Sequence, residues 1–133
     1  MKLILIISAI SALTIFAFAA DPLDGTKWKL VGWTLSSLDP KDVTITADFS
    51  GGRISGNSGV NSYGGSYEAK EGGAFSVGAI SMTEMAGPKP AMRAESSYLK
   101  LLSEAKSYKI KGDTLTLYDK DGNESLIFKK VTG

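Results

Sequence analysis

Gly51-Gly52-Arg53-Ile54-Ser55-Gly56-Asn57-Ser58-Gly59-Val60-Asn61-Ser62-Tyr63-Gly64-Gly65-Ser66-Tyr67 gathers six glycines and two asparagines into one stretch. Glycine costs backbone entropy on folding, so this density marks positions that need positive φ or close backbone approach. Ile54, Val60, Tyr63 and Tyr67 punctuate the run with bulk that has to pack, which a Gly/Ser linker would lack. The stretch therefore reads as a shaped turn between strands, and the rest of the chain is organised around it. Upstream, Val43, Ile45, Ala47 and Phe49 alternate with polar partners, the clearest strand in the chain, and Ser50-Gly51-Gly52 turns it back into Arg53–Gly56. Downstream, a short strand over Ser66–Ala69 turns at Gly72-Gly73 into Ala74–Val77.

Working outward, Thr26–Trp33 alternates as a first strand, and Ser36–Asp42 is a polar loop. From Gly78 to Pro90 the alternation fails, and the segment reads as a packed loop with Met82, Met85 and Met92 filling core beneath it; an adaptable binding surface is the alternative. Pro90 suits a first helical position, so a helix is expected over Ala91–Ala105, with Ala94, Tyr98, Leu101, Leu102 and Ala105 on one face. Two hairpins finish the chain, Ser107–Ile110 with Thr114–Tyr118, and then Glu124–Lys129. The fold class is α+β, mainly antiparallel β: a small barrel-like sheet of about seven strands with one packed amphipathic helix.

Residues 1–20 carry one cation, Lys2, an apolar run, and a small-residue exit at Ala17-Phe18-Ala19, the pattern of a secretory signal peptide. Cleavage leaves one domain over residues 21–133, periplasmic or extracellular; an uncleaved membrane anchor is the competing reading. The chain has no cysteine to carry a lipid. Without Lys2 the 14 remaining Lys+Arg balance 14 Asp+Glu, so counterion-release binding to nucleic acid is not expected.

The absence of histidine and cysteine excludes Ser-His-Asp and Cys-His nucleophiles and the usual zinc sites. Ser97-Tyr98-Leu99-Lys100 and Ser103-Glu104-Ala105-Lys106 match a Ser-x-x-Lys pattern twice within ten residues, without its companion motifs. Asp119-Lys120-Asp121-Gly122 opens like a calcium loop, but its glycine comes two places early, and a hairpin turn accounts for it. Asp48, Glu68, Glu84 and Glu95 are the acids that a carboxylate-only hydrolase would use, and solvated surface positions are their default. Asn57 and Asn61 read as turn residues, with ligand hydrogen bonding as the alternative. Tyr63 and Tyr67 read as core under the turn, with a pocket lining as theirs.

Taken in order, these motifs resemble the META domain family, which includes the heat-shock-associated HslJ proteins of bacterial envelopes. Leu23-Asp24-Gly25-Thr26-Lys27-Trp28-Lys29-Leu30 is similar to the family opening, and Gly56–Tyr67 to its G-x-x-G-C-N-x-Y-x-G-x-Y signature. Thr83-Glu84-Met85-Ala86 with Glu95 resembles T-x-M-A-C … E, and Tyr108 with Leu115-Thr116-Leu117 the closing hairpin. Two departures stand out: Val60 and Gly87 occupy the family's cysteine positions. If those positions pair in relatives, packing of Val60 replaces a covalent tie here. The resemblance implies a compact, barrel-like antiparallel domain with a helix and no established enzymatic activity, whose relatives are connected with stress response, antibiotic tolerance and, in some parasites, virulence. A non-enzymatic domain without a cofactor is expected. Asn57, Asn61, Tyr63, Tyr67, Thr83, Met85 and Glu95 are the candidate binding or motif residues. The expected partner is a protein or small molecule touched by a monomer, with no nucleic acid and no membrane after leader removal. The alternative is a carrier holding an apolar ligand among Trp28, Trp33, Phe49 and Tyr98.

Overall fold

The computed structural model describes residues 21–34 and 38–132; the leader read over residues 1–20 lies outside them. Eight strands and one helix follow in order: β1 (Thr26–Trp33), β2 (Thr46–Ser50), β3 (Arg53–Asn57), β4 (Ser62–Ala69), β5 (Phe75–Met82), α1 (Lys89–Glu104), β6 (Ser107–Lys111), β7 (Thr114–Tyr118) and β8 (Glu124–Lys130). A 3-10 turn, Pro40–Asp42, interrupts the loop before β2 and is capped by the Asp39 carboxylate. All neighbours pair antiparallel in the order β5-β4-β3-β2-β1-β8-β7-β6, so the two ends of the domain meet at the centre of one sheet.

The sheet curls into a half-barrel whose two edges touch at one end only. There Phe75 N–H donates to Lys106 O at 3.0 Å, and Tyr108 N–H donates to Gly73 O at 2.9 Å. Helix α1 bridges the edges in sequence and packs against β5 and β8. Period-two alternation turns Trp28, Leu30, Ala47, Phe49, Ile54, Leu115, Leu117 and Phe128 inward, where they are buried with Tyr98 and Leu102 of the helix. Edge-to-face contacts knit this interior, Phe49 on Tyr67 at 4.8 Å and Tyr98 on Phe128 at 6.4 Å. Three of the four aromatics considered for an apolar cargo, Trp28, Phe49 and Tyr98, are thus core; Trp33 is half-buried, its indole N–H donating to Leu38 O at 2.9 Å.

Four expectations change. Tyr63, Gly64 and Gly65 belong to a continuous β4 and not to a turn, because glycine is what lets β5 lie alongside: a Cβ at Gly65 would sit 2.8 Å from Ala79 O. Strand β5 continues through Ile80 to Met82, and a bulge opposite Gly65 and Tyr67 spoils the alternation that would have revealed it. Met82, Met85 and Met92 are 40 %, 59 % and 36 % exposed, so they do not fill core. The helix starts at Lys89, two residues early, with Pro90 in its first turn, as suits a residue without an N–H.

Candidate functional site

The glycine-rich stretch resolves into the hairpin β3–β4 with a tight loop, Ser58–Asn61, pressed against α1. Gly59, at φ +125°, is what permits the approach: a Cβ there would meet Ala91 O at 3.3 Å. Into this contact the helix projects Glu95, 3 % exposed, one of the few buried charged side chains among the described residues. Its Oε2 accepts from Ser58 Oγ at 2.6 Å, Asn61 N at 2.7 Å and Val60 N at 3.1 Å; its Oε1 accepts from Asn61 Nδ2 at 2.8 Å. Four donors occupy the roughly four lone-pair sites of a carboxylate. Burial pushes the Glu95 carboxyl up, but the hydrogen bonds from Ser58, Asn61 and Val60 outweigh it and hold the group below its ordinary value. Successive loop N–H groups do for this anion what a cation would do elsewhere.

Asn61 is equally committed. Its Oδ1 accepts from Met85 N at 2.7 Å and Thr83 Oγ1 at 2.8 Å, while Nδ2 donates to Glu95 and to Met85 O at 3.2 Å. The side-chain amide pairs with the Met85 peptide as a neighbouring strand would, pinning the segment after β5 to the loop. Thr83 Oγ1 in turn accepts from Ser62 N at 3.2 Å. Asn57 closes the loop from inside, its Oδ1 accepting from Gly59 N at 2.8 Å in an Asx turn.

Below the loop, Tyr63 Oη donates to Thr46 O at 2.7 Å and lies 2.6 Å from Tyr98 Oη. The carbonyl can only accept, so Tyr63 spends its proton there and Tyr98 must donate to Tyr63. Burial raises both phenols well above their ordinary value. Tyr67 stands apart, at the other end of β4, donating to Asp21 Oδ2 at 2.6 Å.

Five of the seven candidate residues, Asn57, Asn61, Thr83, Met85 and Glu95, therefore converge on one cluster; Tyr63 lies beneath it, and Tyr67 does not join it. The other acids considered with Glu95 are elsewhere: Asp48 and Glu68 on the outer faces of β2 and β4, Glu84 exposed after β5. Sequence reasoning missed Ser58, buried in the network, and the role of Glu95 as a buried anchor. The signal was available, since Glu95 stands three residues before Tyr98 and seven before Leu102, on the face that packs. A separate cleft of about 390 Å³ opens where β5 approaches β6, lined by Gly73, Ala74, Ser107, Tyr108 and Tyr118 among others.

The family model for the META domain matches residues 21–132, nearly the whole described chain. The chain belongs to the META domain family. Among solved structures, the META domain here is similar to an NMR structure of a protein from Burkholderia xenovorans, at 29 % identity over 88 % of this chain and 94 % of that one, with a TM-score of 0.70. It also shares its fold with a DUF4847 family protein from Bacteroides vulgatus, at 10 % identity, 84 % and 94 % coverage, and a TM-score of 0.57. A search of curated proteins gives no match. In this META domain the two departures from the family's cysteines face each other: a Cβ built on Gly87 would lie 3.0 Å from both Val60 methyls and 3.6 Å from Val60 Cβ. The valine fills the space that a side chain at 87 would need.

Proposed function

We propose that this META domain is an exported, non-enzymatic module of the periplasm or extracellular space that acts by contact with a protein partner. The contacting surface is the end of β5 and the segment Thr83–Pro88, with Met82 and Met85 as its principal side chains. One observation carries the reading: the Met85 backbone is hydrogen-bonded at both N and O by Asn61, yet the residue is 59 % exposed. An apolar side chain held outward on a fixed backbone loses little freedom on binding, and thioethers adapt to irregular partner surfaces. The Glu95 cluster is read as the support of that surface and not as its chemistry, because the lone pairs and protons of Glu95 and Asn61 are committed internally. Export rests on the leader pattern of residues 1–20, and a role in stress or antibiotic tolerance on the family resemblance.

Complementation of a deletion strain under envelope stress tests the proposal. Met82→Ser with Met85→Ser should abolish rescue while leaving the melting temperature of the purified protein within about 2 °C, as exposed sites do. Full rescue by that variant would refute it.

A further inference from the structure

The overall charge balance conceals a one-sided distribution. With Trp28 and Leu30 inward, Lys27 and Lys29 of β1 point out of the barrel; Lys129 of β8, and Lys109 and Lys111 of β6, do the same in their strands. The register lines them up. Lys29 is directly opposite Lys129, Lys129 is opposite Thr114, and Thr114 is opposite Lys111, one row running across four strands; Lys109 follows opposite Thr116. Asp48 lies directly opposite Lys27, Glu124 lies opposite Tyr118 at the far end of β8, and Asp113, in the turn before β7, meets Lys129 at 3.3 Å. The outer face of the other half is different, carrying Ser55, Ser62, Ser66, Ser76 and Ser81 with few charges.

Lysines on an edge strand guard it against pairing, which accounts for Lys109 and Lys111 on β6. That account does not reach Lys29 and Lys129. Strands β1 and β8 have neighbours on both sides, and like charges directly opposite each other weaken a sheet. A local rule is broken at the centre of the sheet: Asp113 reaches Lys129 from the turn and Asp48 stands opposite Lys27, diagonal to Lys29, but neither separates Lys29 from Lys129, which is the pattern of a surface kept for binding. The cations are all lysine. Ammonium groups on flexible stems act as point charges and lack the fork that arginine uses to fix one carboxylate or phosphate. Spread over the convex side of a curled sheet, they suit a diffuse plane of negative charge and not a single shaped ligand.

We infer that this face seats the exported protein on an anionic lipid surface through Lys29, Lys109, Lys111 and Lys129. The inference does not depend on the methionine surface, which lies at the opposite edge of the sheet, on β5.

Protein recovered after export is sedimented with vesicles of phosphatidylcholine alone and with vesicles containing phosphatidylglycerol. Binding should require phosphatidylglycerol and be released at about 0.5 M salt, where the screening length falls to a few ångströms. Each lysine near such a surface contributes a factor of about five, so Lys29→Gln with Lys129→Gln should weaken binding more than about tenfold. Lys109→Gln with Lys111→Gln, at exposed edge positions, should do the same and keeps the test valid if the first pair perturbs folding, as judged by circular dichroism. Lys89→Gln with Lys100→Gln, on α1 at the concave side of the sheet, should leave binding unchanged. Equal binding to both vesicle types, insensitivity to salt as a retained apolar leader would give, indifference to the lysine pairs, or tighter binding to duplex DNA than to the vesicles would each overturn the inference.

Discussion

Replacing Val60 and Gly87 together by cysteine should create a disulfide without moving the backbone. The Cβ positions would be 3.6 Å apart, inside the range of about 3.5–4.5 Å that disulfides occupy, and Gly87 does not use a positive φ that would resist a side chain. The bridge would close the span from residue 60 to residue 87. For a loop of about 28 residues the chain-entropy relation gives about 3.6 kcal/mol of stabilisation, from which loss of the valine methyls subtracts about 1 kcal/mol. A domain of this size shifts by about 4 °C per kcal/mol, so the oxidised variant should melt about 10 °C above the wild type and about 14 °C above its own reduced form, which lacks the valine methyls as well. Thermal melts followed by circular dichroism, with and without reductant, measure the difference, and thiol titration confirms the bridge. Gly87→Cys alone should be destabilising, since its Cβ would press both Val60 methyls at 3.0 Å. Free thiols persisting under oxidising conditions, or an oxidised form that melts no higher than the reduced one, would refute the geometry from which this is worked.

Glu95→Gln should cost about 3 kcal/mol, because a neutral amide offers one oxygen where three donors now share Oε2, and its NH₂ has to face other donors. The Glu95 carboxyl is held below its ordinary value of 4.5, so its stabilisation is fully present above that pH and is lost as pH falls toward the lower folded value. Denaturant midpoints measured between pH 6 and pH 3 should therefore fall more steeply for the wild type than for Glu95→Gln. Tyr63→Phe should cost more than Tyr98→Phe, about 2 against about 1 kcal/mol, since it strands both the Tyr98 proton and Thr46 O, whereas the second leaves the Tyr63 bond to Thr46 intact; equal losses in denaturant titration would contradict the assigned direction. Gly56→Ala should prevent folding or cost more than about 3 kcal/mol in the same assay, its methyl falling 2.4 Å from Thr46 O.

The sequence carried the fold class because local signals agreed with the global one: alternation in Thr26–Trp33 and Thr114–Tyr118, glycine turns between them, and a proline-led amphipathic helix. It failed where pairing overrides local pattern. Gly64 and Gly65 look like a turn and are strand, because what they accommodate is the backbone of β5, invisible until that strand is placed beside them. The bulge at the same point hid the end of β5, and with it the exposure of Met82. Asn61 was legible as a turn former, but its grip on Met85 joins residues 24 apart in the chain and needed the fold. The lysine row is the extreme case, since Lys29, Lys111 and Lys129 share no local pattern at all until the sheet's register puts them in line.

The cluster and the lost cysteine positions act on the same two segments. Asn61, which grips Met85, adjoins Val60, and Met85 is two residues from Gly87, so the hydrogen-bonded clip and a covalent tie would hold one loop to one strand exit. They hold it by different means. A disulfide acts mainly by restricting the unfolded chain, whereas Glu95 and Asn61 satisfy donors that folding has already taken out of water. The first can be removed if something else fixes the segments; the second cannot, because its removal leaves buried N–H groups without acceptors. A bridge between positions 60 and 87 introduced into Glu95→Gln should accordingly raise the melting temperature by about as much as in the wild type, yet leave the loss caused by Glu95→Gln in place, the two effects adding to within about 0.5 kcal/mol. A bridge that cancelled the Glu95→Gln loss outright would show that the carboxylate merely tethers the loop, and that its four hydrogen bonds are incidental to its burial.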